Sequence, residues 1–301
     1  MQQFLIYFPL CLAALVAGIV NALAGGGTLL TFPALIAALG PRYGVAAAVI
    51  ANGTSTVALA PASFSSAWAF RQEIGKVRRW LVLLILPSLL GGALGSLLVI
   101  VNPERYFALL VPWLILAAAT LFALQPFLTR RVTISSPAEH QEPSTTTIVA
   151  IVIAQFFIGV YGGYFGAGIG ILMLSSLGIM GMTNIHEMNA LKTVLAGCIN
   201  GMAVLIFVWN QKVEWPLALA MMAAAILGGY LGARFGRKVQ QKYIRWFVIA
   251  VGFSLAAWYF WQQFASAGPE TKIPPDSAAR IEYFHLPLPR LTAIIQATEL
   301  T

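Results

Sequence analysis

"VNALAGGGTLL", residues 20–30, interrupts a run that is otherwise apolar enough to cross a membrane. Three consecutive glycines, Gly25, Gly26 and Gly27, stand at its centre. Glycine weakens a helix interior by about 1 kcal/mol relative to alanine. In hydrocarbon the loss is larger, because each backbone group left without a partner costs several kcal/mol. How this break is read decides the fold. Either the glycines let helices pack closely, or a helix ends inside the bilayer and leaves its terminus to a ligand.

The surroundings are those of a polytopic membrane protein. Of 301 residues, 59% are hydrophobic and 9% charged, with a mean hydropathy of +0.82. Soluble domains carry about 25% charged residues. Apolar segments cover 4–24, 28–39, 44–69, 80–101, 104–126, 148–165, 169–181, 186–209, 216–235 and 242–264. Most reach the roughly 20 residues that span hydrocarbon. The start, "MQQFLIYFPL", has no Lys or Arg and reads as the first helix rather than a signal peptide. Cys11 and Cys198 lie in apolar stretches and offer neither a disulfide framework nor metal spacing. The net charge of +8 collects at segment ends, as topology signals do, so no nucleic-acid partner is expected.

A polar linker, "FLTRRVTISSPAEHQEPSTTT" at 127–147, divides two halves that resemble each other. "GIVNALAGGGTLL" (18–30) lies over "GVYGGYFGAGIGI" (159–171), matching Gly18, Gly25 and Gly27 with Gly159, Gly166 and Gly168. "LGGALGSLL" (90–98) lies over "LGGYLGARF" (227–235), and "ERYFALLV" (104–111) over "QKYIRWFV" (241–248). Three matches in the same order argue for an internal duplication.

The basic loops orient the halves. "RQEIGKVRR" (71–79) is placed inside by its Arg71, Lys76, Arg78 and Arg79. The linker then falls inside as well, and the 102–105 loop outside. In the second half Arg234, Arg237, Lys238, Lys242 and Arg245 place the matching loop inside. The repeats are therefore expected to be antiparallel, as in many secondary transporters. Segments 28–39 and 169–181 hold about a dozen residues, some 18–20 Å of helix, too short for a span of about 30 Å. The expected fold is all-α: two inverted-topology repeats, each a Gly-broken re-entrant-like hairpin plus three transmembrane helices. The first repeat covers 1–126 and the second 148–264, joined by the cytoplasmic linker 127–147 and followed by a polar tail at 265–301.

A helix that starts inside the bilayer points unpaired N–H groups and a positive dipole end at whatever lies before it. Two such starts facing each other would form a buried anion site. Small-residue packing explains Gly91, Gly95, Gly228 and Gly232 well, but three glycines in a row less well.

"GIVNALAGGGTLLTFPALIAALG" followed by "AAAVIANGTST", with "GVYGGYFGAGIGILML" followed by "HEMNALKTVLAGCINGMAVLIF", resembles the paired signature blocks of the sulfite exporter TauE/SafE family. The resemblance covers about 4–264 in order. It implies a multi-pass transporter of the bacterial inner membrane, associated with sulfite, organosulfonates and other small anions, often as an exporter.

Lys192 is the only charged residue well inside an expected span, and such residues are functional by default. Asn189, Lys192, Thr193, Ala196 and Asn200 share one helix face. Asn52, Thr56 and Ser63 make a similar stripe in the first half. Asn21 and Thr28 flank the first break as hydrogen-bond donors for an anion, and Tyr161 and Tyr164 flank the second. The expected substrate-binding set is Asn21, Gly25, Gly26, Gly27, Thr28, Asn52, Gly166, Gly168, Asn189 and Lys192. Structural readings compete at several of these: Asn21 as a turn residue, the tyrosines as packing, and Lys192 as a snorkelling or carbonyl-paired side chain.

"HEMNA" at 186–190 has Ala190 where a zinc motif needs its second His, so no metal is expected. "GYFGAGIG" lacks the strand context and the Lys-Ser/Thr of a nucleotide loop, so neither a cofactor nor ATP coupling is expected. An enzyme would need a nucleophile–base pair at membrane depth, and the spans hold none. A scaffold would need neither duplicated breaks nor a buried lysine. A non-sulfur anion such as a carboxylate remains the nearest alternative substrate.

Overall fold

The computed structural model describes residues 2–134, 145–179, 181–182, 184–235 and 241–265. The middle of the linker, the 236–240 loop and the tail from 266 on lie outside the described residues. Residues up to Trp261 form one compact unit, and the described residues beyond it complete the last helix.

The described residues form helices joined by short turns. Helix α1 (Gln2–Ala24) runs to the glycine break and α2 (Thr28–Tyr43) leaves it. Then follow α3 (Ala47–Ala69), the short α4 (Arg71–Ile74), α5 (Arg78–Val101) and α6 (Glu104–Ile134). The second half repeats the plan with α7 (Thr145–Tyr164), α8 (Ile169–Ile179), α9 (Ile185–Trp209), α10 (Trp215–Phe235) and α11 (Gln241–Ala265). Among the described residues, seven helical stretches are long and apolar enough to cross a membrane. The protein is an all-helical, polytopic membrane protein.

Two boundaries differ from expectation. Helix α2 runs through Gly40-Pro41 to Tyr43. It ends only where Gly44 takes φ +54° and donates its N–H to the Gly40 carbonyl. Helix α6 continues to Ile134, because "FLTRRVTI" contains neither Gly nor Pro to stop it.

Packing links the two halves by exchange. Helix α1 packs along α10, and its counterpart α7 along α5. Likewise α3 meets α10 while α9 meets α5, and α2 meets α3 while α8 meets α9. Small residues bring these helices close. A Cβ on Gly95 would fall on the Val160 carbonyl oxygen, and one on Gly228 on that of Leu15. One on Gly232 would stand 2.9 Å from Ile19 Cα. Backbones in contact across lipid-embedded helices gain dispersion that larger residues would forbid.

Helix α9 serves as a ruler for the two short helices. The end of α2 lies beside the C-terminal end of α9, where Tyr43 Oη donates to Glu214 Oε2 (2.7 Å) and Arg42 pairs with Glu214 (3.1 Å). Lys212 joins the same end to the start of α6 through Glu104 (2.7 Å). The end of α8 lies at the other end of α9: Leu177 shares one buried cluster with Met188 and Val77. The two short helices therefore leave their breaks toward opposite ends of the bundle.

Candidate functional site

The matched glycines Gly25 and Gly166 both hold left-handed backbone, at φ +72° and +77°, which a side chain would strain. The breaks touch: the Gly170 N–H donates to the Gly25 carbonyl at 3.5 Å. A Cβ on Gly25 would stand 2.6 Å from Gly170 Cα. Beyond Gly25, the N–H groups of Gly26, Gly27 and Thr28 find no backbone acceptor among the described residues. They occupy the positions at which a helix start leaves its donors without intrahelical partners.

The neighbours of each break residue differ. A Cβ on Gly26 would collide with the Phe122 ring of α6, and one on Gly27 would lie 2.6 Å from the Ala17 carbonyl oxygen. Behind the second break an aromatic cluster holds α2 and α6. The Phe32 ring lies 5.2 Å from Phe165 and 6.3 Å from Phe107, edge to face in both cases. Such pairs add about 0.5–1.5 kcal/mol each beyond area burial.

One small polar cavity lies beside the first break. Asn21, Gly25, Ser63, Ser66, Gly170, Lys192, Thr193 and Ala196 line it, so both halves contribute. Its volume is about 10 Å³, room for a single water molecule. An oxyanion needs several times that volume. Asn21 Nδ2 donates to Ser63 Oγ at 3.3 Å.

Lys192 is 2% exposed. Its ammonium has three donors, yet among the described residues its one hydrogen bond goes to the Ala22 carbonyl, at a long 3.5 Å. Among the described residues no carboxylate pairs with it. An ammonium taken out of water costs several kcal/mol, which one long bond does not offset. The opposite half mirrors the contact with a neutral group: Asn52 Nδ2 donates to the Tyr164 carbonyl at 2.9 Å. Each half's third helix thus holds a carbonyl at the C-terminal end of the other half's broken helix. The Oδ1 atoms of Asn52 and Asn189 are buried without donors.

Of the expected residues, Asn21, Gly25 and Lys192 meet at the cavity. Gly26, Gly27 and Thr28 stand at the start of α2, Gly166 and Gly168 at the second break, and Asn52 against Tyr164. Tyr161 Oη donates to the Ala167 carbonyl (2.7 Å) and so braces its own break. Asn184 caps α9, accepting from the His186 N–H and binding Glu187 Oε1 through its amide. Ser66 and Gly170 went unnoticed in the sequence. The three-residue step from Ser63 to Ser66 was the available signal for the first.

Residues 10–259 match the family described as Sulfite exporter TauE/SafE. The chain belongs to this family. It is 28% identical over 244 residues to a "Probable membrane transporter protein" of Haemophilus influenzae, an alignment covering 80% of this chain and 89% of the relative. It is 26% identical over 253 residues to "Probable membrane transporter protein ORF9" of a Sinorhizobium species, covering 82% and 89%. It is also 26% identical over 251 residues to "Probable membrane transporter protein YfcA" of Escherichia coli, covering 81% and 86%. No solved structure matches significantly. The family and the apolar helices make this TauE/SafE chain a membrane transporter, multi-pass in the bacterial inner membrane.

Proposed function

We propose that the protein is a secondary transporter that exports a small sulfur oxyanion, sulfite or an organosulfonate, by alternating access, and that it is not an enzyme. The observation that carries this reading is Lys192: a buried ammonium with no carboxylate partner among the described residues, on a cavity shared by both halves and beside the start of α2. An anion supplies the missing charge and the missing acceptors together. Asn21, Gly25 and Lys192 contact it first. Gly26, Gly27 and Thr28 offer the α2 start, and Gly166 and Gly168 shape the second break. Asn52 and Asn189 complete the path, their unpaired oxygens accepting from substrate-bound water.

The exchange-related packing, and the opposite directions of α2 and α8, support an inverted-repeat mechanism in which one half rocks against the other. The cavity has room for no more than about one water, so substrate entry requires that motion. The family description supports sulfur oxyanions over carboxylates. The test is flux in proteoliposomes with sulfite, a short alkylsulfonate and acetate, comparing the native protein with Lys192→Ala. Lysine-dependent flux of the sulfur anions alone is the expected result. Lysine-dependent flux of acetate alone would transfer the reading to carboxylates, and no lysine-dependent flux of any anion would remove it.

A further inference from the structure

The two halves also meet at the turn between α9 and α10, residues 210–214, at the end of α9 remote from Met188 and Val77. There the chain folds back on its own helix. The Gln211 N–H donates to the Val208 carbonyl (3.0 Å) and the Lys212 N–H to that of Phe207 (2.9 Å). This pairing needs left-handed backbone just after the cap residue Asn210, and Gln211 takes φ +56°. The fold-back delivers two opposite charges, Lys212 and Glu214, to the first half. Three helices receive them. On α3, a Cβ on Gly53 would fall on the Lys212 carbonyl oxygen, and Thr54 Oγ1 accepts from the Glu214 N–H at 3.0 Å. On α2, Tyr43 Oη donates to Glu214 Oε2 at 2.7 Å and Arg42 pairs with Oε1 at 3.1 Å. On α6, Glu104 pairs with Lys212 at 2.7 Å. Arg105, the charged neighbour of Glu104, lies over the Tyr106 ring.

We propose that the 210–214 turn is a clasp that holds the halves together at this end, and that its release opens the central cavity to that side of the membrane. The contacts suit release. The side chains of Lys212 and Glu104 are 30% and 35% exposed, and that of Arg42 is 71% exposed, so water takes over their charges when they part. Direct hydrogen bonds of this kind have definite geometry and are either made or broken. The other end of α9 is held differently. There Ile74 and Val77, from the segment after α3, join the apolar cluster of Met188 and Leu191. Apolar burial is non-directional and persists through small shifts. One end is thus a latch and the other a bearing. The clasp also borders the second break, because Asn52, which holds the Tyr164 carbonyl, directly precedes Gly53. The inference rests on the alternating-access reading. Its readout is solvent access, which needs no transported anion, so it can fail while lysine-dependent flux stands.

Thiol labelling of the full chain in liposomes tests it, in a background with Cys11→Ala and Cys198→Ala. The reporter is Ser63→Cys, because Ser63 lines the cavity and is 2% exposed. A membrane-impermeant thiol reagent is applied from the face at which Lys212→Cys labels. Labelling of the reporter should be slow while the clasp is intact. Lys212→Glu sets like charges against each other and should speed it at least about fivefold, the equivalent of the upper range for a partly exposed pair. Adding Glu104→Lys to that chain reverses the pair and should restore the slow rate, which a merely misfolded variant would not do. Glu214→Ala removes the Tyr43 and Arg42 contacts and should also speed labelling. Arg105→Gln should leave the rate unchanged. Labelling from the opposite face should not rise in any of them. Equal rates in the parent, Lys212→Glu and Glu214→Ala chains would overturn the proposal. So would acceleration from both faces alike, or failure of Glu104→Lys to restore the slow rate.

Discussion

Lys192 reaches the Ala22 carbonyl oxygen across 170 residues of chain, at 3.5 Å. The contact ties α9 of the second half to the last turn of α1, just before the first-half break. It is too long to offset the burial of an ammonium. The lysine therefore lowers stability where it stands, which fits the proposed anion ligand.

Stability and transport should consequently move in opposite directions at this position. Lys192→Met keeps the length of the side chain and removes the buried charge. Replacing buried ions by apolar groups of similar volume is often neutral or stabilising, by about 1–4 kcal/mol. The expected outcome is an unchanged or raised Tm in detergent with anion flux lost. A lowered Tm would show that the Ala22 contact is a structural support.

The charge series at the same site has an expected order. Lys192→Arg should retain part of the flux, since the cation remains but the guanidinium is larger and planar. Lys192→Ala should weaken anion binding by about 1–3 kcal/mol, the range of charged hydrogen bonds. Lys192→Glu should be worst, because it repels the substrate. Flux at matched expression is the measure, and native flux from both Ala and Glu variants would place Lys192 off the anion path.

Gly26 is held by Phe122. Gly26→Ala should cost about 1–3 kcal/mol of stability, the usual range for overpacking, and Gly26→Leu should abolish transport. Phe122→Leu in the Gly26→Ala chain should recover most of the loss by clearing the ring. Gly40→Ala, where a Cβ meets nothing within 4 Å, should be tolerated. Failure of Phe122→Leu to rescue would mean that another neighbour forbids the side chain.

Asn52 should behave unlike Lys192. Asn52→Ala leaves the Tyr164 carbonyl without its 2.9 Å donor, an expected cost of about 1–3 kcal/mol that a thermal melt reads as a lower Tm. An unchanged melt would show that the second break stands without this contact.

Topology follows from the two ends of α9. In a background without Cys11 and Cys198, cysteines at Lys76 and Gln240 should label from the cytoplasmic side, and one at Lys212 from the opposite side. Labelling of Lys76 and Gln240 positions from different faces would defeat the inverted-repeat reading.

The sequence alone determined what depends on neighbours along the chain. Apolar length placed the helices, consecutive glycines placed the break, and the recurrence of Gly18, Gly25 and Gly27 as Gly159, Gly166 and Gly168 argues for a duplication. An isolated charge in an apolar segment marked Lys192. Tertiary structure decided which groups meet. Gly25 faces the cavity while Gly26 faces Phe122, because successive residues point in different directions and only packing says what stands there. Asn52 serves the second break rather than the first, and Tyr161 turns to Ala167. Ser66 and Gly170 join the cavity because α3 and α8 converge on it. Those contacts are set by where small residues let α1 close on α10 and α5 on α7, a relation between distant segments that no local pattern encodes.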